Sequence, residues 1–411
     1  MRDNYGPRIG IRGHVIESAV RLMVKTRRSI FYRHEGFKFL LSLALLLSLG
    51  LYFFGVDHRA SESDSASVGS TTLDSLVWVP VRNDGVYLVP TVGEAGLSAT
   101  LPELTRSGLS RRVDNSVVAL DFTRILSTKD ALQSISNVNL DLVSLRGPVD
   151  LFIQTEIVNS LATAKRLSIA LTRCDDKSFE QFMAIYGDRL VALGLDETGV
   201  SDTIGQSLTG RSMLRTLSLE QTQITEALLP SISGSTQIEV LNLGDTPISS
   251  RIAPELTQLN SLKILMLKGT RVVDDIVAHL AQLKKLRRLD LSNTQLGDGI
   301  GAALERLDQV ETLVLKNTKV TSHVGAGLSR MKNLKWLDLR QTAIDNEIGP
   351  SLERMEQLKQ LILSGTRVGD PVLEHLSDLP NLEILKLERT RVTKIAIKQL
   401  DAALDNCTVA F

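Results

Sequence analysis

The chain has 411 residues with Lys+Arg and Asp+Glu balanced at 47 each, so it lacks the basic surplus that a nucleic-acid binder requires. Two cysteines, Cys174 and Cys407, are too few for a disulfide framework or a Cys-based zinc site. The neutral total hides an asymmetry: residues 1–38 carry nine Lys/Arg against three acids, leaving residues 39–411 at net −6, the split expected of a membrane-facing tail.

Residues 39–56, FLLSLALLLSLGLYFFGV, open at Phe39, close at Val56 and contain no charge. As a helix they span roughly 27 Å, against a hydrocarbon core of ~30 Å. Lys38 can snorkel and Tyr52 suits the interface. The long basic start, and the lack of an A-x-A-like site in GVDHRAS, favour an uncleaved signal anchor over a cleavable signal peptide. Basic residues before this helix place the N-terminus in the cytoplasm and everything after it outside. Within the tail, Val15, Ile16, Ala19, Val20 and Met23 share a helical face that could lie on anionic lipid; the favoured reading is that the tail's charges only set topology.

Residues 57–73 form a linker whose core, ASESDSASVGSTT (60–72), is Ser-rich and reads as a flexible spacer. LVWVPV (76–81) and VYLVP (86–90) are β-like runs joined through Asp84-Gly85, a hairpin signal; Pro80 and Pro90 confine them to edges or strand ends. We read 74–112 as a small cap shielding the first repeat. In 113–189, VVALDF (117–122) and NVNLDL (137–142) look like degenerate units twenty residues apart. Leu167, Ile169, Leu171 and Cys174 form a further weak unit, and 143–165 carries no assignment.

From Leu190 to the end (190–411) the chain repeats every 24 residues as L-x-x-L-x-L-x-x-T-x-[VIL], with LKILMLKGTRV (262–272) and LKWLDLRQTAI (334–344) as complete examples. The L-x-L alternation predicts a strand buried on one face. Asp202, Asp274, Asp298, Asn346 and Asp370 recur at one position, where a helix N-cap is expected. Pro230, Pro254 and Pro350 lie one turn further in and predict late-starting or 3₁₀ helices. One strand and one helix per unit cannot bury their apolar faces alone, so the units must stack under a parallel sheet.

These units resemble leucine-rich repeats over 190–405, and less clearly back to about 115. Thr198, Thr222, Thr246, Thr270, Thr294, Thr318, Thr342, Thr366 and Thr390 stand where the commonest form has Asn. The GT-x-V-x-D strings at Gly269–Asp274 and Gly365–Asp370 are similar to the bacterial, planctomycete-type repeat, and LDAALDNCTVAF (400–411) resembles its terminal half-repeat, with Val409 and Phe411 in strand register. The resemblance implies an α/β, ribonuclease-inhibitor-like solenoid: a right-handed horseshoe with a parallel sheet inside and helices on the convex side. In the Asn form the side chain bonds backbone groups of neighbouring turns, and the Thr hydroxyl is expected to take over part of that role.

No catalytic or cofactor constellation appears. Gly297-x-Gly299-x-Gly301 lacks G-x-G-x-x-G spacing and reads as local variation in a helix start. His279, His323 and His375 read as exposed helix residues too dispersed for a metal, and the cysteines as free thiols at opposite ends of the array. The variable strand residues should line the concave face, where Val240, Ile264, Met266, Arg288, Val314, Trp336, Ile362 and Ile384 are candidates for an exposed partner-binding patch. The expected function is therefore protein or peptide binding outside the cytoplasm by a single-pass, membrane-anchored, non-enzymatic chain, without cofactor, metal or nucleic acid. The alternatives are a self-assembling envelope protein and, less favoured, an enzyme with its site in 57–165.

Overall fold

Two leucines separated by one residue fall on the same side of an extended chain, and in each 24-residue unit the structure forms a strand there. The computed structural model describes residues 142–404 and 406–411, plus the backbone of four upstream strands, Leu76–Val81 (β1), Gly85–Pro90 (β2), Leu109–Arg111 (β3) and Val117–Asp121 (β4). The basic tail, residues 39–56 and the Ser-rich linker lie outside the described residues. Among the described residues no helix is long and apolar enough to cross a membrane.

β1 and β2 form the expected antiparallel hairpin, with Val81 opposite Gly85. The main sheet has 14 strands in chain order. It runs through β3, β4, Leu142–Gly147 (β5), Arg166–Leu171 (β6), Leu190–Gly194 (β7), Thr216–Ser218 (β8) and Val240–Asn242 (β9). It continues with Ile264–Met266 (β10), Arg288–Asp290 (β11), Thr312–Val314 (β12), Trp336–Asp338 (β13), Gln360–Ile362 (β14), Ile384–Lys386 (β15) and Thr408–Ala410 (β16). β3 is antiparallel to β4 at one edge, and every later pairing is parallel. Leu265 pairs with Leu289, Leu289 with Leu313 and Leu313 with Leu337, each exactly one repeat on. Val409 closes the series opposite Leu385 as expected, while Phe411 is exposed.

The upstream units differ from expectation in one respect. β4 pairs with β5 at a spacing of 25 residues (Val117 opposite Leu142), so the unit after 117–122 is LVSLRG (142–147) and not NVNLDL. Val143 and Leu145 are buried and in register with Leu167 and Ile169, which makes the unassigned stretch 143–165 a repeat in its own right. Val138, Leu140 and Leu142 alternate in one phase and Val143 and Leu145 in the other, and alternation alone could not choose between them. Residues 137–141 lie outside the described residues.

Behind the sheet each described unit from β5 to β15 has a helix, most of them of only four to six residues. Pro230, Pro254 and Pro350 sit in the first turns of helices Leu229–Ser233, Ala253–Leu256 and Gly349–Leu352, each entered through a 3₁₀ turn as expected. Strand leucines, helix residues such as Ile276 and Leu280, and Leu283 just past that helix form one continuous core. At its N-terminal end Phe152, Phe179, Phe182 and Tyr186 fill a larger space, with the Tyr186 hydroxyl donating to the Phe152 carbonyl at 2.8 Å.

The recurrent Asp/Asn column does not cap its own helices. Ser201, Thr225, Ser249 and Thr321, one residue earlier, accept the cap hydrogen bonds. Where an Asp, Asn or Glu stands at the next position, it reaches sideways to the next unit. Asp202 accepts from the Thr225 N–H and hydroxyl, Asp298 from those of Thr321, and Asp370 from those of Thr393. Asp274 accepts from the Gly297 N–H and Asn346 from that of Gly369. Gly299 leaves room for this contact, because a Cβ there would lie 2.3 Å from the Asp274 carboxylate, whereas Gly297 and Gly301 meet only ordinary contacts.

The threonine row also acts more locally than expected. Every Thr from Thr198 to Thr390 donates its hydroxyl to the carbonyl three residues back in its own unit, at 2.5–2.7 Å. This closes a turn whose preceding residue has φ between +52° and +72°. Glycine fills that left-handed position at Gly269 and Gly365; Glu197, Gln221, Asp245, Asn293, Asn317, Gln341 and Arg389 fill it elsewhere. A non-glycine residue there costs roughly 1–2 kcal/mol, less the ~0.5–1 kcal/mol of extra backbone entropy that glycine loses on folding. Gln341→Gly should therefore stabilise the array by roughly 0.5–1 kcal/mol, and Gly365→Ala should destabilise it by about 1 kcal/mol. The Gly365 Cβ would meet only ordinary contacts, the nearest at 3.5 Å, so that cost is conformational. Paired urea melts check both signs; a destabilising Gln341→Gly would contradict this account.

Candidate functional site

The core-facing leucines leave the intervening strand residues on the outer face of the sheet. Neighbouring parallel strands lie only ~4.8 Å apart, so these side chains cover one another. The eight candidates divide accordingly. Val240, Ile264, Val314 and Ile362 are buried, and Met266, Arg288, Trp336 and Ile384 are half-buried. The expected exposed apolar patch is thus corrected to a partly closed surface. Val240 and Ile264 pack with Met266 in a small cluster separate from the main core. Ile384 stands apart on β15.

Arg288 and Trp336 come together across β12. The guanidinium lies over the indole, 5.6 Å from the ring centroid, in cation–π geometry. Its Nε is buried with no hydrogen-bond partner among the described residues. Burial lowers the Arg288 pKa, only partly offset by Asp290 on the same strand. The flanking acids are already engaged. Asp290 accepts from the Ser292 N–H and hydroxyl at 2.9 and 2.6 Å, and Asp338 accepts from the Arg340 N–H and holds its guanidinium at 2.6 Å.

Two features of this face escaped the sequence reading. The residue entering each strand forms a charge row: Glu239 pairs with Arg215 and Lys263, Glu311 with Arg287 and Lys335, and Glu383 with Lys359. The signal was available as +−++−++− at intervals of 24 from Arg215 to Glu383. The second is Asp196, just past β7. Burial pushes its carboxyl up from 3.8 to about 6, opposed by hydrogen bonds from the Ser218 hydroxyl (2.5 Å) and the Glu220 N–H (2.9 Å); the Glu220 and Glu197 carboxylates push it further up.

Elsewhere the chemistry is sparse. No group of His, Cys, Asp and Glu among the described residues could hold a metal. His279 and His323 are exposed as expected, but His375 is half-buried, its Nδ1 2.9 Å from Glu353 and its ring over Gly349, where a Cβ would collide with it. Cys174 is a buried free thiol pushed up to about 12 by burial and by nearby Asp175, Asp176 and Asp150, which makes it unreactive. Ten strand steps of ~4.8 Å separate it from the strand that follows Cys407, so the two cannot pair.

Asp196 generates a pH prediction. Its folded pKa lies above its unfolded value, so the folded state holds a proton that the unfolded state releases. That stability is fully present below about pH 4 and is lost as pH rises through about 6, on the order of 1–3 kcal/mol. Carboxylates held low by hydroxyl donors, such as Glu226 by Ser249 and Asp345 by Ser322, contribute stability that is present at neutral pH and is lost only as pH falls below about 4, so they do not produce the change between pH 5 and 7.5. Urea midpoints at pH 5 and 7.5 should show the intact chain weaker at 7.5 and Asp196→Asn nearly flat. Parallel curves for the two would remove this carboxyl as the cause.

No family model matches the chain, and no curated protein matches it in sequence. It is similar to solved structures at low identity. An internalin from Listeria monocytogenes aligns with TM-score 0.44 and 18% identity, over 70% of this chain and 89% of its own. A leucine-rich-repeat protein from Leptospira interrogans gives 0.38 and 17%, over 69% and 98%. The leucine-rich-repeat ectodomain of the Arabidopsis receptor kinase HAESA, solved with a peptide hormone ligand, gives 0.42 and 18%, over 69% of this chain and 44% of its own. In fold, this chain is a leucine-rich-repeat array, a statement that rests on its own 24-residue register, parallel sheet and helix-backed core.

Proposed function

We propose that the chain is a membrane-anchored binding module, without catalytic activity, that takes a protein or peptide segment on the outer sheet face around Arg288 and Trp336. The observation that carries this reading is Arg288. A largely desolvated guanidinium with an unpartnered Nε costs the folded array stability, and an apolar residue of similar size would cost less. Such a placement is useful where an incoming carbonyl or carboxylate supplies the missing acceptor. Trp and Arg are the side chains whose loss most often weakens an interface, and here they are in contact.

The anchor is the apolar run at 39–56, and its basic flank favours display of the array outside the cytoplasm. A reporter fused after Phe411 should then be active only in the extracytoplasmic compartment. Cytoplasmic activity would reverse the topology and leave the binding surface unaffected.

The binding surface has its own test, which compares affinity for a captured partner with thermal unfolding. Trp336→Ala should weaken binding by about 2 kcal/mol or more with the fold intact, because Leu334, Leu337 and Leu339 supply the core contacts of that strand. Arg288→Met should weaken binding about tenfold or more while leaving the melting temperature unchanged or higher, since it removes a guanidinium whose buried Nε has no hydrogen-bond partner among the described residues. An Arg288→Met chain that binds normally would move the site off this face.

A further inference from the structure

We infer that the β1–β2 hairpin is a built-in occupant of the outer sheet face over β5 to β8, leaving β11 to β15 as the stretch open to a partner. β1 passes within 8 Å of β8, and β2 within 8 Å of β5, measured between Cα atoms. The burial of the outer face matches that placement. Thr216 on β8 is 1% exposed, whereas Thr312, the same residue type at the same register position on β12, is half-buried. Both strands have parallel neighbours on each side, so the sheet itself cannot account for the difference. At the register position of Thr216, Ser168, Ala192 and Val240 are likewise buried, while Arg288, Trp336, Gln360 and Ile384, one to a strand further along, are only half-buried; the other outward position does not distinguish the two stretches, since Ser218 and Asp338 are both buried.

The hairpin's chemistry fits a covering role. LVWVPV and GVYLVP carry apolar residues at both alternating sets of positions, and an isolated two-stranded hairpin is marginal in water unless another surface covers one face. Pro80 and Pro90 withhold backbone donors, which discourages further strands from adding at its edges. An apolar, extended peptide is the ligand class that would compete for the same ground. This inference refines the binding reading by dividing its face, and its test uses no partner, so the two can fail separately.

The test is thiol accessibility in the full chain, with Cys174 and Cys407 replaced by Ser. Thr216→Cys should react with a maleimide at least about tenfold more slowly than Thr312→Cys. Replacing residues 76–90 by a Gly-Ser stretch of equal length should bring the two rates together, while core-facing Leu217→Cys stays protected in the folded array. In the intact chain, cysteines placed singly from Leu76 to Val81 should include at least one that forms an intrachain disulfide with Thr216→Cys, read by mass spectrometry. Equal labelling of the two positions in the intact chain overturns the inference. So does a complete absence of cross-linking along β1, whatever the replaced chain does.

Discussion

No unit of this chain can bury its own leucines. A three-residue strand such as Leu265 and its neighbours has an apolar side and two bare backbone edges, and only a unit of the same length on each side covers both. That requirement keeps the units near one length, 24 residues through the regular array and 25 between β4 and β5. A slip of one residue in the pairing of β11 itself would turn Leu289 away from the core. The turn-closing threonines, left-handed residues and sideways Asp and Asn contacts all serve that spacing. Each holds the length of a unit constant or locks it to the next, so stability is built from nearest-neighbour terms.

The array was legible because its period is long and its residue classes repeat. Strand register, the threonine row and the late helices at Pro230, Pro254 and Pro350 follow from spacing alone. What spacing misassigned was the direction of side chains. Thr225 and Glu226 are adjacent and polar, and the sequence does not say which caps the helix and which reaches the next unit. The 142–147 strand was missed because one alternating phase ends at Leu142 and the other, buried one starts at Val143. Burial of the outer face was least legible: Val240 and Val314 alternate with core leucines like any exposed residue. For Val240 the cover comes from Ile264 and Met266 on the neighbouring strand.

The outer face is consequently neither a bare apolar patch nor a featureless surface. Most of its charges are tied to neighbours, as Asp338 is to Arg340 and Glu311 to Lys335. Arg288 departs from that economy, since no partner among the described residues compensates its buried Nε. Local departures from full polar satisfaction concentrate at functional sites, and this one adjoins the large aromatic of the same face.

The sheet's hydrogen bonds have one further effect, which is mechanical. They join strand to strand and therefore point along the direction in which units are stacked. A pull in that direction loads them one unit at a time instead of shearing many together. The edge strands β16 and β3, each paired on one side only, would peel away first, followed by the units next to them in turn. Under tension such an array yields in small equal steps of 24 residues, lengthening gradually where a sheared sheet of the same size would hold and then rupture at once.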